Sequence, residues 1–384
     1  MDSRRTGVAD LKLHPGFAPL WLLSRMEKLA EKIFIIICDE FGEEEVLSRL
    51  SDPLFFQACS NALGYDWDSS GATTVTCAVL KKAFNSADIG IRGAGGKGRR
   101  ARRALEEIRE IGTEFDLAED EISRLTYASR MTAKIDSAAI QAGYQIYHHM
   151  MFISKEGHWT VVQQGMRTEE RLARRYHWLS SKVRSFVNQH HNDIIGDRVH
   201  DSVLDMTAIE SEGCRKLCTE LVAEKPERLK RLLLSIRDPD QECLTMWMGS
   251  DASFEPMSYY WAVPHRMDWN ALSTLHDNHP TGYEQLLSTK GIGPATVRGL
   301  TLISEIVFGT HASWRDPVRF SFAYGGKDGV PFPVDRKAMD ESIQVLSAAV
   351  QNAKIGDSER IKALRRLSHF STSALSPPES LATL

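Results

Sequence analysis

The sequence predicts an α+β protein, with a mixed N-terminal domain around a central β-hairpin and sheet, followed by an all-α module. Three observations carry this expectation. Apolar residues recur at helical spacing through much of residues 1–90. Two runs rich in aromatic and β-branched residues, Tyr144–Ser154 and His158–Met166, flank Lys155-Glu156-Gly157, which reads as a hairpin turn. From Met267 onward the helical period returns. A chain of 384 residues exceeds what one hydrophobic core commonly serves. We expect domains at 1–245 and 246–370, and a Ser/Pro-rich disordered tail at 371–384.

In chain order, Trp21–Ile37 is an amphipathic helix stopped by Phe41-Gly42, and Gly64–Gly71 is a turn-rich loop. Asp68 or Ser69 caps a helix over Thr73–Phe84. Ile89–Arg92 reads as a short strand and Gly93–Arg103 as a Gly/Arg-rich loop that is mobile or ordered only by a ligand. Ser123–Ala142 is helical and leads into the hairpin, after which Glu169–Phe186 returns to helix. His190–Asp201 is a loop, and Ser202–Ser235 holds two helices broken near Pro226. Arg237–Pro264 is irregular and holds the domain boundary. The loop Ser313–Pro333 then precedes two last helices, Arg336–Ala353 and Glu359–Ser368.

Composition excludes several classes. With 42% hydrophobic and 26% charged residues the chain is an ordinary globular one. Its longest aliphatic run, Ile33–Cys38, is too short to span a bilayer, and no apolar segment of a secretory signal follows Arg4 and Arg5. Six cysteines without a CxxC pair suit reduced thiols in the cytoplasm. The net charge of −4 rules out a uniformly basic surface, but Lys97, Arg99, Arg100, Arg102 and Arg103 crowd together, and Arg171, Arg174 and Arg175 form a second cluster. Local strips of this kind bind nucleic-acid phosphates whatever the sum.

Lys290-Gly291-Ile292-Gly293-Pro294 lies between two amphipathic helical segments, Gly282–Ser288 and Ala295–Phe308. Glycines let the turn adopt φ > 0, and proline suits the first position of the next helix. The stretch resembles a helix-hairpin-helix motif. That resemblance implies a grip on DNA backbone phosphates by free main-chain amides near Ile292, with Lys290, Gly291, Gly293, Thr296 and Arg298 at the contact. Lys97, Arg99 and Arg100 in the glycine-rich segment, and Lys327 in the later loop, extend the expected DNA footprint. Arg174 or Arg175 would add a weak phosphate contact.

Longer stretches carry a second resemblance. Arg5–Leu11, Tyr65–Thr74, Ala94–Gly98, Tyr127–His149, Val161–Met166, Arg175–Ser180 and Trp314–Val334 are similar to an uncharacterised domain-of-unknown-function family of archaea and bacteria. The family commonly has His where this chain has Asp68, and Asp where it has Ala142. It implies no particular activity.

Candidate chemistry gathers in Lys134–Gln164. Polar side chains on buried strands are costly unless paired, so such a cluster suggests a site. A nuclease needs carboxylate or imidazole ligands for Mg²⁺ or Mn²⁺ and a lysine near the attacking water. Asp136 and His149 are the expected metal ligands, with Lys134 and Gln164 completing the catalytic set. The leading expectation is a DNA-binding protein acting on single-stranded or branched repair or recombination intermediates, as a metal-dependent nuclease. A non-catalytic DNA-binding scaffold is the alternative. A third reading is a helix-hairpin-helix glycosylase: Val334-Asp335-Arg336-Lys337 resembles the catalytic aspartate segment of endonuclease III-like enzymes. Ala295 occupies the position of their lyase lysine, which leaves only a water-activating mechanism.

Overall fold

The structure, a computed structural model, describes residues 18–65, 70–188, 193–196, 198–236, 263–264, 266–318 and 336–375. Its centre is a five-stranded antiparallel sheet, in the order β1 (Ile91–Lys97), β3 (Gln145–Ser154), β4 (Trp159–Arg167), β5 (Leu172–Leu179) and β6 (Asp193–Gly196). A two-residue strand, β2 (Ile140–Gln141), pairs separately with β7 (Leu204–Asp205). The predicted hairpin is β3–β4, closed where the Gly157 amide donates to the Ser154 carbonyl at 2.9 Å.

Both faces of the sheet are covered. Side chains alternate along a strand, and directly paired residues share a face. Ala94, Met151, Val161, Tyr176 and Trp178 enter one core. There they meet α5 (Ala104–Glu114), α6 (Glu119–Lys134), α7 (Glu212–Ala223), α8 (Pro226–Ile236), α9 (Trp269–Asn278), α10 (Tyr283–Ser288) and α11 (Pro294–Ile306). Met150, Phe152 and Val162 enter the other. That core is built with α1 (Leu20–Phe41), α2 (Glu43–Ser51), α3 (Pro53–Leu63), α4 (Ser70–Ser86), α12 (Arg336–Asn352) and α13 (Asp357–Leu375). The expected boundary at 245/246 lies outside the described residues, and the helices that follow it divide between the two cores.

Several expectations need correction. Glu169–Phe186 is not a helix: it contains β5, buried along almost its whole length. A strand covered on both faces shows no polar–apolar alternation, so its period is hidden. Gly93–Gly96 belong to β1 rather than to a mobile loop, and His190–Asp201 contains β6. Ser123–Ala142 stops being α-helical at Lys134, where a π-helical turn, Ile135–Ala139, leads into β2. The last helix runs to Leu375, into the segment expected to be a disordered tail, while residues 376–384, Asp68 and Ser69 lie outside the described residues.

Arg174 and Arg175 are buried in β5, on opposite faces, and present no charge to solvent. Arg174 pairs with Asp316 at 2.6 Å and lies over the Tyr144 ring. Arg175 reaches Gln57 and Thr73 and sits over the Phe56 ring, and burial lowers its pKa to about 10. Asp316 also accepts the His200 amide at 2.9 Å, so one carboxylate ties the segment after α11 to the sheet. Asp316→Ala leaves a buried guanidinium without its counter-charge and should cost about 3–5 kcal/mol in urea unfolding. A loss under about 1 kcal/mol would show that the pair does not anchor the sheet.

Candidate functional site

The π-helical turn after α6 sets the site. Lys134 ends the regular helix, and the wider turn directs Asp136 inward to full burial. Asp136 Oδ2 accepts from the Trp178 indole Nε1–H at 2.9 Å and from the Gln163 side-chain amide. Gln163 and His149 are register partners on neighbouring strands. The Gln163 carbonyl Oε1 lies 2.8 Å from His149 Nδ1, and the Ser129 hydroxyl lies 2.8 Å from His149 Nε2.

These contacts form a directed chain. Gln163 directs its NH₂ to Asp136 Oδ2, which also accepts from Trp178, and turns its oxygen to His149. Nδ1 of His149 must then carry the proton, and Nε2 accepts from Ser129. Burial lowers the His149 pKa, opposed by the Gln163 hydrogen bond and by Asp136, which keeps the imidazole neutral. Burial pushes Asp136 well above the usual carboxylate range, opposed by Trp178, Gln163 and His149.

The predicted set is only partly brought together. Asp136 and His149 belong to one chain, but Gln163 stands between them with an N–H aimed at the carboxylate. A cation would have to displace that donor, so the expected Mg²⁺ or Mn²⁺ pair does not fit the arrangement. Gln164 lies on the opposite face and donates to the Tyr147 hydroxyl at 2.8 Å. Lys134 turns away from Asp136 and donates to the main-chain carbonyls of Thr289, at 3.2 Å, and Ile292. Burial lowers its pKa. Ser129 was not anticipated. Its signal was spacing, since it lies about two helical turns before Asp136 and therefore on the same side of the helix.

Above Ser129 and His149 opens a cleft of about 1010 Å³, bordered by Arg99, Arg102, Arg130, Tyr147 and Pro294. A second hollow of about 710 Å³ shares Arg130, Ala133 and Ser137 with it and continues to Lys290 and Gly291. The arginine-rich turn and the glycine hairpin thus border two adjoining hollows, with α6 between them. Gly95 makes this possible. Its φ is +100°, and a Cβ there would overlap the His149 carbonyl oxygen, so β1 can cross this close to β3 only as glycine. Past it, exposed Lys97 ends β1, its ammonium 5.9 Å from the Tyr147 ring centroid, and exposed Arg99 and Arg100 lie in the 3₁₀ turn Gly98–Arg103.

The hairpin turn itself departs from expectation. The Ile292 side chain is buried and its amide is taken by the Thr289 carbonyl at 3.3 Å, so that amide does not stand free. Gly291 has φ +91°, but a Cβ there would come within 2.8 Å of Ala271 Cβ, so this glycine serves packing. Gly293 has φ −128° and open space before it, and it starts α11 without a side-chain cap. Thr296 is buried with its hydroxyl 3.5 Å from the Asp268 amide, and Arg298 is half-buried. Gln141 donates to the Pro294 carbonyl at 2.9 Å, a second tie between hairpin and π-turn. Lys327 and Asp335 lie outside the described residues.

Asp136 carries a pH signature. A carboxyl whose folded pKa is raised contributes stability below its unfolded value and loses it as pH rises through the folded one. Asp136→Asn keeps the shape without the buried charge. Its melting temperature relative to the wild type should therefore rise as pH increases above the ordinary carboxylate range, and a pH-independent difference would contradict the assignment.

No curated protein and no solved structure matches the chain. Residues 7–334 match the model of the family described as "Protein of unknown function (DUF763)", and the chain belongs to that family.

Proposed function

We propose that the protein binds the sugar–phosphate backbone of DNA along the basic cleft. One observation carries the reading: Arg99 and Arg102, Arg130, and Lys290 with Gly291, far apart in sequence, line two adjoining hollows that meet at Arg130. The rest of the surface is acidic enough to bring the net charge to −4, which favours one local footprint over general polyanion binding. Tyr147, half-buried at the rim beside Lys97, offers a ring on which an unpaired base can stack, which favours single-stranded or branched DNA. Repair or recombination intermediates contain such strands. The open space before Gly293 and the uncapped start of α11 suit an anionic oxygen, although fewer hairpin amides are available than the motif alone implies.

A metal-dependent nuclease at Asp136 and His149 is not part of this proposal, because Gln163 already joins them. A cytoplasmic setting is, and the five described cysteines are all unpaired. No helix among the described residues is long and apolar enough to cross a membrane.

Fluorescence anisotropy with a labelled single strand, titrated over KCl, tests the proposal. Arg99→Ala, Arg102→Ala and Arg130→Ala should each weaken binding and shallow the log–log salt slope by roughly 0.7 for every phosphate no longer neutralised. Gly293→Val should weaken binding without loss of melting temperature, whereas Gly291→Val should destabilise the fold itself. Absence of binding at about 50 mM salt, where such charge pairing is strong, would end this reading.

A further inference from the structure

We infer that Ser129 is the nucleophile of a phosphodiester-transfer site on the floor of this cleft, with His149 as its general base. The inference deepens the backbone-binding proposal and takes its substrate class from it.

The hydroxyl is directed in an unusual way for its place in the chain. Nearby Ser and Thr side chains return to the backbone of their own helical turns: Thr126 to Ser123, Thr132 to Ser129 itself, and Ser137 to Ala133. Ser129 instead meets the His149 ring at 2.8 Å. Both residues border the cleft, although only 3% and 5% of their surfaces are exposed. Near-burial strengthens the hydrogen bond and limits competition from water.

The tautomer is the one a general base requires. Asp136 orients the Gln163 amide, the amide oxygen holds the proton on Nδ1, and the Nε2 lone pair faces the serine. Gln163 passes on orientation and dipole but no proton, and it is a positioning residue. When His149 takes the serine proton, the resulting cation lies against the Gln163 oxygen, with the Asp136 carboxyl beyond it. This is the logic of a nucleophile, a base and an orienting group, with an amide placed between base and carboxylate.

The reaction follows from the contacts. Ser129 Oγ attacks the phosphorus of a backbone diester while its proton passes to His149 Nε2. The Oγ–P bond forms, the bond from phosphorus to one sugar oxygen breaks, and His149 returns the proton to that leaving oxygen. The strand is then joined to Ser129 as a phosphodiester. Attack by the departed hydroxyl reseals the strand, and attack by water, deprotonated by His149, releases it and restores the serine. No redox partner is needed. Arg99, Arg102 and Arg130 border the space where the non-bridging oxygens would lie, the charges such a transition state requires.

The test uses the full chain in two parallel arms. In one, a radiolabelled single strand is incubated with the protein, quenched in detergent and run on a denaturing gel, with binding measured on the same sample by anisotropy. In the other, a fluorophosphonate, which marks activated serines with loss of fluoride, is followed by peptide mass mapping. We expect label on the protein in both arms, mapped to Ser129 and absent from Ser129→Ala at unchanged melting temperature. Gln163→Leu, which removes the acceptor that holds the proton on Nδ1, should slow fluorophosphonate labelling by about 100-fold. If DNA binds but neither reagent marks Ser129, the inference is overturned and the binding proposal stands. If DNA does not bind, the binding proposal fails and the diester substrate named here fails with it. Equal labelling of Ser129→Ala overturns the inference in either case.

Discussion

A single buried carboxylate organises the middle of this protein. Asp136 accepts hydrogen bonds from Trp178 on β5 and from Gln163 on β4, and so joins the end of α6 to two strands of the sheet. A carboxylate in such surroundings is expensive unless its oxygens are satisfied. Satisfying them fixes the rotamer of Gln163, then the proton position on His149, then the direction of the Ser129 hydroxyl. The polar chain crosses a face on which Met151, Val161, Tyr176 and Trp178 are also buried.

The same turn positions the cleft. Lys134, one residue before the π-helical segment, ties its ammonium to two carbonyls of the glycine hairpin, and Gln141, just after it, ties to Pro294. The hairpin is therefore docked onto the element that carries Asp136 and Ser129 rather than projecting from a separate module. From the other side, Gly95 lets β1 approach the His149 carbonyl and delivers the arginine-rich turn to the opposite rim. Neither basic element reaches the cleft by chance of surface. Each is held by contacts to residues that also hold the buried chain.

Much of this was legible in the sequence where structure is local. The β3–β4 hairpin, helix α1, the pair of helices around Pro226 and the helix opening at Pro294 all follow from periodicity and turn chemistry within a few residues. Asp136 and His149 stood out because polar groups on buried elements need partners. Long-range order was less legible. β5 shows no alternation because helices cover both its faces, and its arginines are paired with residues far away, Asp316 and Gln57. Lys134 carries a charge next to an acid in sequence, yet its partners are carbonyls about 155 residues on. The return of α12 and α13 to the core of α1–α4 leaves no local trace at all. Ser129 was missed because one serine in a helix is ordinary until the strand opposite it is known.

The direction of the Asp136–Gln163–His149–Ser129 chain is the claim on which the account stands, and it resolves to the place of one proton. Nitrogen-15 NMR of the histidine rings, with His149 assigned by loss of its signals in His149→Gln, reads that position directly. A neutral imidazole at pH 7 with its proton on Nδ1 and a free lone pair on Nε2 is the predicted state. A proton on Nε2, or on both nitrogens, would mean that Ser129 faces a donor rather than a base, and the chemistry drawn from the chain would not hold.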